Sequence, residues 1–463
     1  MMRRFFLLLT LLAGVCSGIH SEIKLPAVIS DNMVLQQQSD VRLWGSADSG
    51  SKVTVIPSWD NRKYTVNAGK DGNWSLNIAT PSAGGPYTIS ISDGKPVTLD
   101  NVMIGEVWVC SGQSNMDMRM SGRYGDPVIG AMDAIITSRN PDIRMFTVGA
   151  KMTGEPLTDC TGKWEEASPA TTPEFSATAY YFARKLNEAL HIPVGIIHTS
   201  YGGSRVEAWM SSEAVAPYRG MPEVQNECIL YNGMMSPLVG YGIKGFLWYQ
   251  GEANMDYPDL YTRLFPAMVK DYRNRWGVGE FPFLYAQIAP NNYNKGGDGK
   301  GKNSAYLREA QVMCLDSISN SGMICLLDAG HPQTIHPMDK ETVGNRFAYL
   351  AVGKVYGYDG LLVSGPLFKS AQPSGNEITV HFDNVGKGLT TMRQPLDGFE
   401  VAGEDRVFHP ARARFGKDMQ TIIVTSPEVP APVAVRYAFK DYTKGTLYNQ
   451  AGLPASSFRS DNW

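Results

Sequence analysis

The chain has 463 residues, 43% of them hydrophobic and 10% aromatic, ample for more than one buried core. At roughly 150 residues per domain the length argues for about three, and the composition excludes a disordered, collagenous or coiled-coil chain. Lysine and arginine (42) nearly balance aspartate and glutamate (45), and the net charge of −3 offers no basic excess for a phosphate backbone. Nucleic acid is therefore not an expected partner.

Residues 1–21 read as a secretory signal peptide. Arg3 and Arg4 precede an apolar run from Phe5 to Val15 broken only by Thr10, and small Ser17, Gly18 and Ser21 follow. The run is short of the ~20 residues a membrane helix needs, and no later segment reaches that length. The mature chain is expected to be secreted or periplasmic and not membrane-spanning. Cys16 raises lipid attachment, but bulky Val15 before it disfavours an anchor. Cys110, Cys160, Cys228, Cys314 and Cys325 form an odd, sparse set. That is no disulfide framework, and one or two bridges stay open because the spacing selects none.

Residues 22–101 predict an N-terminal β-sandwich. Lys52–Ile56, Trp74–Ile78 and Tyr87–Ile91 alternate with period two, and glycine-bearing turns separate them. Residues 102–361 change grammar. Apolar strands at Val107–Cys110, Val194–Ile197, Gly245–Tyr249, Phe283–Ala286 and Met323–Leu327 alternate with helical spacing at Ser176–Leu190, Tyr261–Trp276, Ser304–Leu315 and Lys340–Val355. This predicts a doubly wound parallel sheet, with helices on both faces. In residues 362–463 strands return at Ile378–Phe382, Thr421–Val424 and Val433–Tyr437, predicting a C-terminal β-sandwich-like domain.

Ligands of open α/β sheets sit beyond the carboxyl ends of the strands, so the residues following each strand carry the chemistry. After Val107–Cys110 comes Ser111-Gly-Gln-Ser-Asn-Met116; a serine in such a strand-to-helix turn can expose its Oγ and aim its own N–H at an oxyanion. The bland alternative is a helix cap. After Val194–Ile197 lies Gly202-Gly203, which lets the backbone approach a ligand, or simply turns the chain. Arg205 and Trp209 behind it suit a sugar pocket, or else a surface ion pair and a core aromatic. After Gly245–Tyr249, the Gln250 amide could donate to an oxyanion, and Glu252 is a carboxylate beside it. After Met323–Leu327, the segment from Asp328 to Pro337 holds His331 and His336, with His336 the better general base. His331, His336 and Asp328 raise chelation, but their spacing fits no metal motif, so neither metal nor organic cofactor is expected. An activated hydroxyl, oxyanion donors and a base in one sheet are what acyl transfer requires.

The blocks Gly112-Gln-Ser-Asn-Met116, Gly202–Trp209, Trp248–Asn254 and Ile335–Lys340 together resemble the sialate O-acetylesterases, which are SGNH-type hydrolases. The resemblance runs from Leu25 to Leu447–Ser456. It implies a central SGNH-hydrolase-like sheet, Ser114 as nucleophile and His336 as base. It also implies an oxyanion hole from the Ser114 N–H, Gly202 or Gly203, and a third-block amide whose place Gln250 holds. Many relatives carry an aspartate three residues before the histidine; here that position is Gln333. Three candidates thus stay open as the third member: Gln333 as a neutral orienter, or Asp328 or Glu252 as a more distant acid. The expected substrate is an O-acetylated sugar, first a sialic acid whose carboxylate Arg205 would pair, otherwise acetylxylan or another glycan. The contrasting class is a non-catalytic glycan-binding protein on a dead hydrolase core, which would have no need to keep Ser114, His336 and Gln250 together.

Overall fold

The computed structural model describes residues 23–293 and 303–463, so the signal-peptide reading lies outside the described residues. The N-terminal part contributes β1 (Val34–Gln36), β2 (Asp40–Ser46), β3 (Lys52–Pro57), β4 (Tyr64–Asn67), β5 (Asn73–Ala79) and β6 (Gly84–Ser92). Its strands obey the alternation that predicted them: Val53 and Val55 are fully buried while Lys52 is exposed.

The next strand, β7 (Pro96–Gly112), pairs both with N-terminal strands and with the central ones. Its first part is half-buried and pairs antiparallel with β6; from Met103 onward every residue is buried. Asn101, at a left-handed φ of 55°, marks the change. Buried Arg144 donates to the Asn101 carbonyl and to its Oδ1 (3.0 Å), holding the bend. The boundary expected at 101–102 therefore falls inside a continuous strand. One eleven-stranded mixed sheet joins β1, β3, β4 and β6 to the central strands.

The central part adds α1 (Ser114–Asp117), α2 (Ala131–Ile136), β8 (Asn140–Thr147), β9 (Trp164–Ala167), α3 (Ala177–Leu190), β10 (Val194–Ser200), α4 (Ser212–Val215), β11 (Gly245–Tyr249), α5 (Pro258–Trp276), β12 (Phe283–Ala286), α6 (Ala305–Ser317), β13 (Ser321–Ile324) and α7 (Lys340–Val355). The strand order is β13-β12-β11-β7-β10-β8-β9, parallel except for the edge strand β9. Side chains of β7 alternate between two cores. Val107 and Val109 pack on the side of α5 and α6, and Trp108 and Cys110 on the side of α3 and α7. Helices thus cover both faces, and strands buried on both sides read as unbroken apolar runs.

The C-terminal part holds two four-stranded antiparallel sheets around its own core, which includes Val380, Val401, Val424 and Val435. Its tail docks on α6, where fully buried Arg308 donates to Ser457 Oγ at 3.0 Å and to the Lys440 carbonyl at 2.5 Å. The five described cysteines are unpaired. No helix among the described residues is long and apolar enough to cross a membrane.

Candidate active site

Three parallel strands converge where β7 ends. Gly112 has φ 141°, and a Cβ there would stand 2.1 Å from the Tyr249 carbonyl at the end of β11. Only glycine lets the chain turn this close to its neighbour. Gln113 N–H donates to Tyr249 O, and Tyr201 N–H, just past β10, donates to Gly112 O. These bonds set Ser114 at the start of α1, 4% exposed, at the carboxyl edge of the sheet.

His336 arrives from the loop between β13 and α7. Its Nε2 lies 3.0 Å from Ser114 Oγ and its Nδ1 2.9 Å from Asp126 Oδ2. The ring is thereby oriented at both nitrogens, with Nδ1–H donating to the carboxylate and the Nε2 lone pair facing the hydroxyl. Burial pushes the imidazole below its ordinary pKa; the Asp126 hydrogen bond opposes this, while Arg123 and Lys340 add to it. For Asp126, burial resists ionisation, but hydrogen bonds from His336 and Thr334 hold the carboxyl below its usual range. The arrangement can draw a proton from Ser114 and hold the resulting imidazolium beside a carboxylate.

None of the three residues proposed from the sequence as the third member faces His336 Nδ1. Gln333 is exposed on the loop, and its backbone N–H donates to His331 Nδ1. Asp328 is committed to a two-pronged pair with Arg346 at 2.7 Å for each oxygen. Glu252 is buried behind the nucleophile turn and accepts from Asn115 Nδ2 at 2.6 Å; burial raises its pKa. Asp126, which sequence reasoning missed, takes the position from a loop 210 residues earlier. The available signal was the tight turn Gly122-Arg-Tyr-Gly-Asp-Pro127, where Gly122 and Gly125 both have positive φ.

The oxyanion residues separate as well. Gly202 borders the nucleophile: a Cβ built there would meet Ser114 Cβ at 3.8 Å. Gly203, with φ 71°, faces open space. Gln250 does not serve as expected. It is fully buried, and both protons of its amide are used, by the Ser204 carbonyl (3.1 Å) and Asn254 Oδ1 (2.7 Å). Asn254 in turn donates to Glu207 Oε2 at 2.9 Å. The amide therefore braces the β10 and β11 loops rather than offering an N–H to a ligand.

The two expected sugar contacts are both engaged with other groups of the protein. Trp209 is fully buried, donates to Ser204 Oγ and meets Trp248 edge-on, because the short 3-10 turn Val206–Trp209 rotates it into the core. Arg205 turns to the Glu223 carbonyl at 3.0 Å and over the Tyr257 ring. Arg123 instead reaches the site, its Nη1 3.4 Å from His336 Nε2. A buried clamp underlies the pair. Asn115 Nδ2 also donates to the Ile335 carbonyl at 2.9 Å, and Lys340 Nζ donates to Asn115 Oδ1 at 2.6 Å. Burial lowers the Lys340 ammonium to about 7. Among the described residues, no group of three or more His, Cys, Asp or Glu is arranged to hold a metal ion.

Residues 104–351 match the family described as carbohydrate esterase, sialic acid-specific acetylesterase. A sialate O-acetylesterase of Mus musculus is 26% identical, the match covering 98% of this chain and 97% of the relative. That of Homo sapiens is 27% identical over 79% of this chain and 75% of its own length. A crystal structure titled a novel carbohydrate acetylesterase from Xanthomonas citri superposes with a TM-score of 0.88 at 33% identity, covering 96% of this chain and all of that one. The class is that of an esterase, a hydrolase of carboxylic esters. More particularly, the chain belongs to the carbohydrate esterase family of sialic acid-specific acetylesterases.

Proposed function

We propose that the protein is a secreted carbohydrate O-acetylesterase that removes acetyl groups from sialic acids through a Ser114–His336–Asp126 acyl-enzyme mechanism. The observation that carries the reading is the two-sided hold on His336: Ser114 at 3.0 Å on Nε2 and Asp126 at 2.9 Å on Nδ1. Ser114 Oγ attacks the acetyl carbonyl while His336 Nε2 takes its proton. The N–H groups of Ser114 and Gly202 receive the oxyanion, two donors in place of the larger set expected. His336 then gives its proton to the departing sugar oxygen, leaving the acetyl group on Ser114. Water, deprotonated by the same nitrogen, attacks the ester, and acetate leaves as Ser114 recovers its proton. Asp126 stays ionised and stabilises the imidazolium in both halves.

In this reading the central sheet is a doubly wound SGNH-type core with a β-sandwich-like unit on each side. Residues 1–21 direct export, as their charged and apolar pattern supports. A glycan substrate is the second reading, favoured by the 33% identity to the carbohydrate acetylesterase of Xanthomonas citri. The deciding experiment is acetate release from O-acetylated sialic acid and from acetylxylan, side by side. Release from acetylxylan alone moves the substrate to plant glycan; release from neither, with intact fold, supports a binding protein on a dead core.

A further inference from the structure

Arg123 and Asp126 are the two ends of one turn. Each donates its backbone N–H to the other's carbonyl at 3.0 Å, and Gly125 supplies the positive φ of 81° that closes it. The turn hands two opposite charges to the two nitrogens of one imidazole: the Asp126 carboxylate to Nδ1 and the Arg123 guanidinium to Nε2. Tyr124 at the tip is fully exposed. Other arginines are engaged elsewhere: Arg119 with Glu174, Arg205 with the Glu223 carbonyl and, at 3.8 Å, Glu207, and Arg346 with Asp328. Arg123 is exposed and, among the described residues, in no ion pair.

We propose that Arg123 is the specificity-determining residue that binds a carboxylate on the sugar, and that this binding also frees the base to act. The proposal deepens the sialate reading and rests on it for the choice of sugar, though its chemistry is that of any acidic sugar. With Nδ1–H directed to Asp126, His336 Nε2 has one lone pair. Ser114 O–H at 3.0 Å and Arg123 N–H at 3.4 Å both aim at it. A guanidinium matches a carboxylate with two parallel hydrogen bonds, far better than it matches one ring nitrogen. A carboxylate placed beside the reacting ester draws Arg123 off the ring and leaves the lone pair to Ser114. A neutral sugar has nothing with which to draw it off.

The test compares acetate release from O-acetylated N-acetylneuraminic acid with release from its methyl ester, and from O-acetylated glucuronic acid with release from O-acetylated glucose. The wild type, Arg123→Gln and Arg123→Lys are measured. Wild type is expected to prefer the carboxylated member of each pair. Arg123→Gln should cut that preference about 10- to 100-fold, the range for a charge-assisted pair, and Arg123→Lys should restore part of it, since lysine keeps the charge without the fork. A merely structural role would not move the pH profile. The charged groups facing His336 are Asp126, Arg123 and Lys340, and Arg123 depresses the imidazole. Its loss should shift the acid limb of kcat/KM to higher pH. A preference that survives Arg123→Gln, or a wild type with no preference, overturns the proposal. Failure of the sialate reading looks different: no acetate from either sialate form, with the Arg123-dependent preference intact in the glucuronate pair.

Discussion

Replacing Asp126 with asparagine tests the proposed triad most directly. Its carboxylate oxygen lies 2.9 Å from His336 Nδ1, and the two side chains are only 16% and 13% exposed. At that separation and an effective dielectric near 20, an ionised pair attracts by about 6 kcal/mol. Catalysis feels only the part that grows as the imidazole charges, so kcat should fall about 10²- to 10⁴-fold, or roughly 3–5.5 kcal/mol of barrier. Asparagine can also turn its NH2 toward Nδ1, which would put the ring proton on Nε2, where it cannot accept from Ser114. KM should change little, because Asp126 touches the base and not the sugar. The assay is steady-state acetate release at saturating substrate, with circular dichroism to verify the fold. Asp126→Asn within threefold of wild type would refute the assignment, most clearly if Gln333→Ala, Asp328→Asn or Glu252→Gln lowered kcat instead.

Three further outcomes are expected. Ser114→Ala should abolish acetate release yet cost at most about 1–1.5 kcal/mol of stability, one hydrogen bond's worth, as read by urea unfolding; wild-type-like turnover would remove Ser114 as nucleophile. Because burial lowers the His336 pKa, kcat/KM should stay flat as pH falls to about 6.5, the ordinary imidazole value, and decline only below it as the base protonates. In Asp126→Asn the partner that raises that pKa is gone, so the residual activity's acid limb should move to still lower pH; an upward shift would contradict the pairing. Trp209→Ala should destabilise the protein by about 3–5 kcal/mol, as for other fully buried aromatics, without changing the preference between acidic and neutral sugars; a selective loss of one substrate would return Trp209 to the pocket.

The strands were legible wherever one face was buried and the other wet, as in β3, because alternation is a local property. The fully buried strands were legible as apolar runs, and the Gly-Gln-Ser turn stood out because it ends one of them. The start of the central unit was not legible. Residues 101 and 102 show a change of grammar, but β7 passes through it, and the bend is held by Arg144 from another strand.

At the site, the sequence by itself singled out Ser114 and His336, which the structure brings to 3.0 Å, since each follows a strand of one parallel sheet and the sheet brings strand ends together whatever the loops do. Only the tertiary structure decided which carboxylate faces His336 Nδ1 and the direction of the amides. Asp126 and Arg123 lie on an irregular loop without periodicity, and their meeting with His336 spans more than two hundred residues. Gln250 and Asn254 stand in the expected block, yet a side-chain amide has several directions open to it. On the neighbouring loop, the Ser204 carbonyl accepts from the Gln250 amide and buried Glu207 from that of Asn254. Local pattern reports which face of an element is dry; where a polar side chain points depends on partners that folding alone brings near.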